Sequence, residues 1–259
     1  MGLADRILAD ERRLCRELAR LRFAPPVAWV YNPLQYAHRP HALYLRRYAG
    51  TPRRVIYLGM NPGPFGMAQT GVPFGEVAAV RDWLGIQAPV SGPERAHPRR
   101  PIQGFACPRS EVSGARLWGA VADHYGTPAR FFRGHFVANY CPLLFLEDSG
   151  RNRTPDKLPA AERRPLFEAC DRHLLCLVEW MEPRWVVGVG RFAEERARQA
   201  LVGTGVRVGG VLHPSPASPA ANRGWARQAA ARLRELGVCA AEGPCRGSTV
   251  RRTPDGWMG

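Results

Sequence analysis

The run Val55-Ile56-Tyr57-Leu58 breaks without a linker into Gly59-Met60-Asn61-Pro62-Gly63-Pro64-Phe65-Gly66-Met67. The apolar run reads as a strand over 54–60, and the Gly/Pro stretch as the loop that leaves it. Short apolar runs recur at 135–141, 184–190 and 207–212, separated by helical patterns at 76–84, 110–124, 160–182 and 191–202, with a last helix at about 219–236. Parallel neighbours need long crossovers, which helices supply, so alternating strands and helices predict a parallel arrangement. The fold class is therefore α/β, with a central four-stranded, mainly parallel sheet flanked by helices on both faces.

In such sheets ligands bind at the carboxyl ends of the strands. Three of the four strands end there in a polar side chain beside glycine or proline: Asn61, Asn139 in Phe136-Val137-Ala138-Asn139, and His213 in Val211-Leu212-His213-Pro214. An amide offers both a donor and an acceptor, so two amides and an imidazole on one edge can read a flat heterocycle. A tight turn in which Asn61 bonds its own backbone would leave the same letters, and a lone strand-end histidine is commonly structural. Phe74, in Gly71-Val72-Pro73-Phe74-Gly75-Glu76, stands where an aromatic ring could stack on a base or simply close a core. Ser218-Pro219 supplies an N-cap and first-turn proline for the last helix, whose N-terminus favours a phosphate.

With 259 residues, 45% of them apolar, the chain can bury one sizeable core. A net charge of +15 calls for an anionic partner, and nucleic acid fits better than a membrane because no apolar run is long enough to span one. Lys157 is the one lysine, so a Schiff-base mechanism has a single side-chain amine to draw on. That scarcity suggests a bacterial, cytoplasmic protein; in a eukaryote the same reading implies the nucleus. The seven cysteines form no C-x-x-C pair, so neither a metal site nor any other cofactor is expected. Residues 3–21 repeat apolar positions at helical spacing and end before Pro25-Pro26, giving an N-terminal helix (1–25) packed on a domain of 26–238. The Pro- and Arg-rich segment 89–108 reads as a long loop, and 239–259 as a basic, disordered tail.

Four stretches together resemble the single-strand-selective monofunctional uracil-DNA glycosylases, within the uracil-DNA glycosylase superfamily. They are Gly59 to Val77, Ser110-Glu111-Val112-Ser113-Gly114-Ala115-Arg116, Cys141-Pro142-Leu143-Leu144-Phe145-Leu146 and His213-Pro214-Ser215-Pro216. The likeness spans roughly 29–237 and leaves out the N-terminal helix and the tail. It implies a monomeric base-excision-repair enzyme that hydrolyses the N-glycosidic bond of uracil, and of 5-hydroxymethyluracil or other 5-oxidised uracils, in single- and double-stranded DNA. An intact abasic site is left. Asn61 would position the attacking water and His213 would face uracil O2. Asn139 would pair with the base edge and Phe74 stack on it, while the backbone at Met60, Gly63 and Met67 shapes the wall near C5. Pro214, Ser215, Pro216, Ala217 and Arg223 would meet the DNA. Relatives carry arginine in the loop after His-Pro-Ser-Pro, where this chain has Ala217. A glycosylase with wider preference, reaching hypoxanthine or xanthine, and a noncatalytic damage-binding protein are the alternatives.

Overall fold

The computed structural model describes residues 1–238; the basic tail expected over 239–259 lies outside them. In chain order the elements are α1 (Leu3–Leu18), β1 (Trp29–Tyr31), α2 (Pro33–Tyr36), α3 (His38–Tyr48), β2 (Val55–Gly59), α4 (Met67–Thr70), α5 (Val112–Tyr125), α6 (Pro128–Phe132) and β3 (His135–Asn139). There follow β4 (Leu144–Leu146), β5 (Asn152–Arg153), α7 (Ala160–Met181), β6 (Trp185–Val189), α8 (Arg191–Ala200), β7 (Arg207–Val211), α9 (Pro219–Asn222) and α10 (Trp225–Glu235).

The four predicted strands form one all-parallel sheet in the order β3-β2-β6-β7. Their side chains alternate between two helical layers. Tyr57, Val137, Val189 and Val211 face α5 and α10, whereas Phe136 and Ala138 face α1, α3 and α7. Burial of both faces explains why these strands read as continuous apolar runs. The register sets Gly59 beside Asn139 at the end where the sequence placed the site.

Some elements depart from expectation. The sequence reading omitted a second, antiparallel sheet of β1, β4 and β5, whose strands are two or three residues long and so carry almost no periodicity. Helices α2 and α3 were also missed, because Pro33 and Pro40 break up the apolar pattern; both prolines lie in first turns, where an N–H is dispensable. Helix α1 stops at Leu18 rather than 21, and Arg22 Nη1 donates to the Ala19 and Leu21 carbonyls. The helix expected over 76–84 is one π-turn at Ala79–Trp83. The last helix is split in two at Gly224, which adopts a φ of 97° that β-carbons disfavour.

Helix α1 is anchored by charge as well as by its buried Ile7, Leu14 and Leu18. Each such side chain contributes roughly 1.5–3 kcal/mol when taken from water. Two consecutive buried carboxylates on α1 meet two buried imidazoles: Asp10 Oδ2 lies 2.7 Å from His173 Nδ1, and Glu11 Oε1 lies 2.8 Å from His41 Nε2. Burial alone would lower the His41 pKa, but Glu11 and the Gly71 carbonyl, 2.7 Å from Nδ1, override it and raise it. Burial likewise opposes the Asp10 carboxylate, yet His173 and Arg13 hold its pKa below the usual value.

Candidate active site

Strand β2 ends at Gly59 and the chain turns through Met60 to Asn61, so Asn61 stands over the edge of the sheet. Its Nδ2 donates to the Leu143 carbonyl at 3.1 Å. That bond fixes the amide plane and leaves Oδ1 to accept a hydrogen bond from a ligand or water.

Asn139 is the last residue of β3, directly across from Gly59. Its Nδ2 meets Met67 Sδ at 3.1 Å. A β-carbon at Gly59 would overlap Asn139 Oδ1 and come within 2.7 Å of the Phe74 ring, so the absent side chain at 59 is what lets amide and ring approach. Phe74 holds a φ of 52°, in the left-handed region that costs a bulky residue energy. The turn that carries it is stapled by Thr70 Oγ1, which donates to the Gly75 carbonyl at 2.9 Å and accepts from the Val72 N–H.

His213 follows β7 and lies with its ring centroid 6.1 Å from that of Phe74. Its Cβ is 3.0 Å from where a β-carbon of Gly190 would be, so Gly190, at a φ of 98°, lets the imidazole settle against the neighbouring strand end. Burial lowers the pKa of the ring, which is therefore neutral at pH 7 and has one N–H to donate. The structure thus brings Asn61, Met67, Phe74, Asn139 and His213 to one edge, with Met60 and Gly63 on the loop that runs past them. Ala217 and Arg223 lie on the exposed segment beyond His213. Lys157 is placed elsewhere, on an exposed turn beside Asp156 at 3.4 Å.

A match to the uracil DNA glycosylase superfamily covers residues 48–234, the whole of this site. The chain belongs to that superfamily. It is 56% identical over 239 residues to the mouse protein "Single-strand selective monofunctional uracil DNA glycosylase", covering 92% of this chain and 86% of that one. The Bos taurus protein of the same name is 55% identical, with 92% of this chain and 88% of the other covered. A match of that length reaches beyond 29–237, so the likeness is longer than the motifs alone suggested. Among solved structures, that of wild-type Pedobacter heparinus SMUG2 matches with a TM-score of 0.65 at 17% identity, covering 92% of this chain and 99% of that one, and it shows the shared fold.

Three residues of this uracil DNA glycosylase site escaped the sequence reading, although all lie inside the quoted stretches. Gln69 is buried and fully used: Nε2 donates to the Pro64 and Pro101 carbonyls at 2.8 and 3.1 Å, and Oε1 accepts from the N–H groups of Gln103 and Gly104. It staples the long basic loop to the Asn61 loop. The Glu111 carboxyl fills the space that β-carbons at Gly63 and Gly66 would take. Burial, with a smaller push from the charge of Glu76, raises its pKa to about 7. Arg116 binds the backbone beyond His213. A side chain whose partners are distant carbonyls or α-carbons leaves no periodic signal in sequence.

Proposed function

We propose that this chain is a monofunctional uracil-DNA glycosylase of base excision repair, acting on single- and double-stranded DNA and leaving an abasic site. The observation that carries this reading is the convergence of Asn61, Asn139, His213 and the Phe74 ring on one edge of a parallel sheet. The superfamily match supports it.

The target nucleotide must leave its stack, at a cost of a few kcal/mol that single strands largely avoid. Uracil then lies against Phe74, with Asn139 accepting from N3–H and donating to O4. Cytosine presents the reverse pattern and leaves buried polar groups mispaired. The C1′–N1 bond breaks with its electron pair going to the base, so negative charge grows on uracil O2 as positive charge grows on the sugar. The neutral His213 imidazole donates its hydrogen bond to that oxygen, and this contact is stronger in the transition state than in the bound substrate. Asn61 Oδ1 holds the water that adds to C1′, whose proton passes to solvent. An amide cannot accept that proton at neutral pH, so departure of the base precedes attack, and the absence of a general base forgoes about 10²- to 10⁴-fold.

The wall at Gly63 and Met67 lies on the C5 side of the base. Glu111 packed behind Gly63 and Asn139 bonded to Met67 keep it in place, which supports rejection of thymine by its methyl group. The exposed, carboxylate-paired Lys157 supports a purely hydrolytic enzyme. The mammalian origin of the relatives favours the nuclear reading over the bacterial one. The enzyme acts as a monomer.

The test is alkaline cleavage of end-labelled strands carrying uracil, 5-hydroxymethyluracil, thymine or hypoxanthine after incubation with the protein. Breaks at uracil and 5-hydroxymethyluracil alone are expected. Breaks at hypoxanthine would favour the wider-preference reading, and none at any base would overturn catalysis.

A further inference from the structure

The segment His213-Pro214-Ser215-Pro216 has two prolines, so half of its residues have no backbone N–H to donate. Three side chains from outside the segment take up the carbonyls of this loop. Trp225 Nε1 donates to the Leu212 carbonyl at 2.5 Å. Arg116 Nη1 donates to the carbonyls of Pro214 at 3.2 Å and Ser215 at 3.4 Å, while its Nη2 donates to Asn222 Oδ1 at 2.8 Å. Asn222 Nδ2 in turn donates to the Pro216 carbonyl at 2.9 Å. Arg116 stands on α5, and the start of that helix also touches the other pocket loops. Glu111 packs on Gly63 and Gly66, and Gly114 is so close to the Phe74 carbonyl that a β-carbon there would overlap it.

We infer that Arg116, with Asn222, is a positioning residue that sets where the His213 imidazole stands relative to Asn61 and Phe74. Its guanidinium fork spans two successive carbonyls and an amide oxygen, a geometry that the point charge of lysine does not reproduce. Because one short helical segment holds all three loops, the clamp fixes the width of the pocket and not merely the conformation of one turn. A displacement near 1 Å at a reacting group costs on the order of 10²-fold. The inference rests on the reading of His213 as the group facing uracil O2.

The experiment is a set of single-turnover rates at saturating enzyme on one uracil-containing single strand at fixed salt, for wild type, Arg116→Ala, Arg116→Lys, Asn222→Ala, His213→Ala and the double variant Arg116→Ala/His213→Ala. Affinity for a uracil-free strand is measured across several salt concentrations. We expect Arg116→Ala to slow excision by about 10-fold or more, Arg116→Lys to recover part of that, and the double variant to be no slower than His213→Ala alone, as required of a residue acting through another. Binding to the uracil-free strand stays within about 3-fold, with an unaltered salt slope. Should Arg116→Ala not fold, Asn222→Ala in the same cycle answers the question. Rates near wild type in both Arg116→Ala and Asn222→Ala would overturn the inference, as would losses that multiply in the double variant. So would a loss confined to affinity with a flatter salt slope, which marks a phosphate contact. A wild-type rate in His213→Ala would instead overturn the catalytic reading beneath it.

Discussion

Asn139 Oδ1 occupies the space that a β-carbon on Gly59 would need, across the parallel register that pairs the two residues. Gly59→Ala should therefore push the amide and the Phe74 ring apart. We expect uracil excision to fall by at least about 10²-fold while the fold loses only the 1–3 kcal/mol typical of an overpacked site. Single-turnover kinetics beside a urea melt will show this, and a variant that excises normally would mean that the Asn139–Phe74 spacing is unimportant. Asn139→Asp removes the donor that meets O4 and should weaken excision of uracil, with at most a small gain on cytosine.

Asn61→Ala and His213→Ala should each lower the chemical step by about 10²-fold or more with DNA affinity nearly unchanged, since both contacts matter mainly on the way to product. Because burial lowers the His213 pKa, the imidazole should be mainly neutral at pH 7. A nitrogen-15 histidine spectrum recorded from pH 5 to 8 checks this. An imidazolium signal for His213 at pH 7 would contradict the neutral-donor mechanism.

Glu111 ionises near pH 4.5 in an unfolded chain and at about 7 in the folded one. Between those values the unfolded chain has released a proton that the folded chain retains, so stability falls as pH rises through the window and levels off above it. A shift of that size corresponds to about 3 kcal/mol. Glu111→Gln removes the charge, so its stability relative to wild type should climb between pH 4.5 and 7.5 by up to that amount in urea denaturation. A constant difference across that range would show that Glu111 does not titrate as described.

Ala217 is exposed on the turn after His213, its N–H bonded to Ser215 Oγ at 3.2 Å. Alanine is too short to fill the stack that an extruded nucleotide vacates. Ala217→Arg should raise the ratio of duplex U·A to single-strand excision rates several-fold at one fixed salt concentration. An unaltered ratio would assign the wedge role to another group, with Arg223 the next to test.

Much of this is legible in the sequence, and for a definite reason. Strands buried on both faces print unbroken apolar runs, so β2, β3, β6 and β7 could be found within a residue or two, and the rule for parallel sheets then gathers Asn61, Asn139 and His213 on one edge. The short strands β1 and β4 pack Tyr31, Leu144 and Leu146 with Tyr36 of α2 and Ala68 of α4, a tertiary arrangement with no local pattern. The split of the last helix at Gly224 had a readable cue in the Asn222-Arg223-Gly224 sequence. Gln69, Glu111 and Arg116 had none, because each is defined by backbone it meets 30 to 100 positions away.

The carboxylate–imidazole pairs on α1 bear on the order of assembly. Asp10 and its partner His173 are separated by 163 positions, and Glu11 reaches through His41 to the Gly71 carbonyl in the turn that bears Phe74. The Glu11–His41 pair thus closes over 30 positions, whereas Asp10 waits for α7 before His173 meets it. Closing so long a loop is entropically slow, and contacts of this span delay folding. A nascent chain that ends before α7 would therefore already hold the Glu11–His41–Gly71 brace behind Phe74, but it would lack both His173 and the catalytic His213.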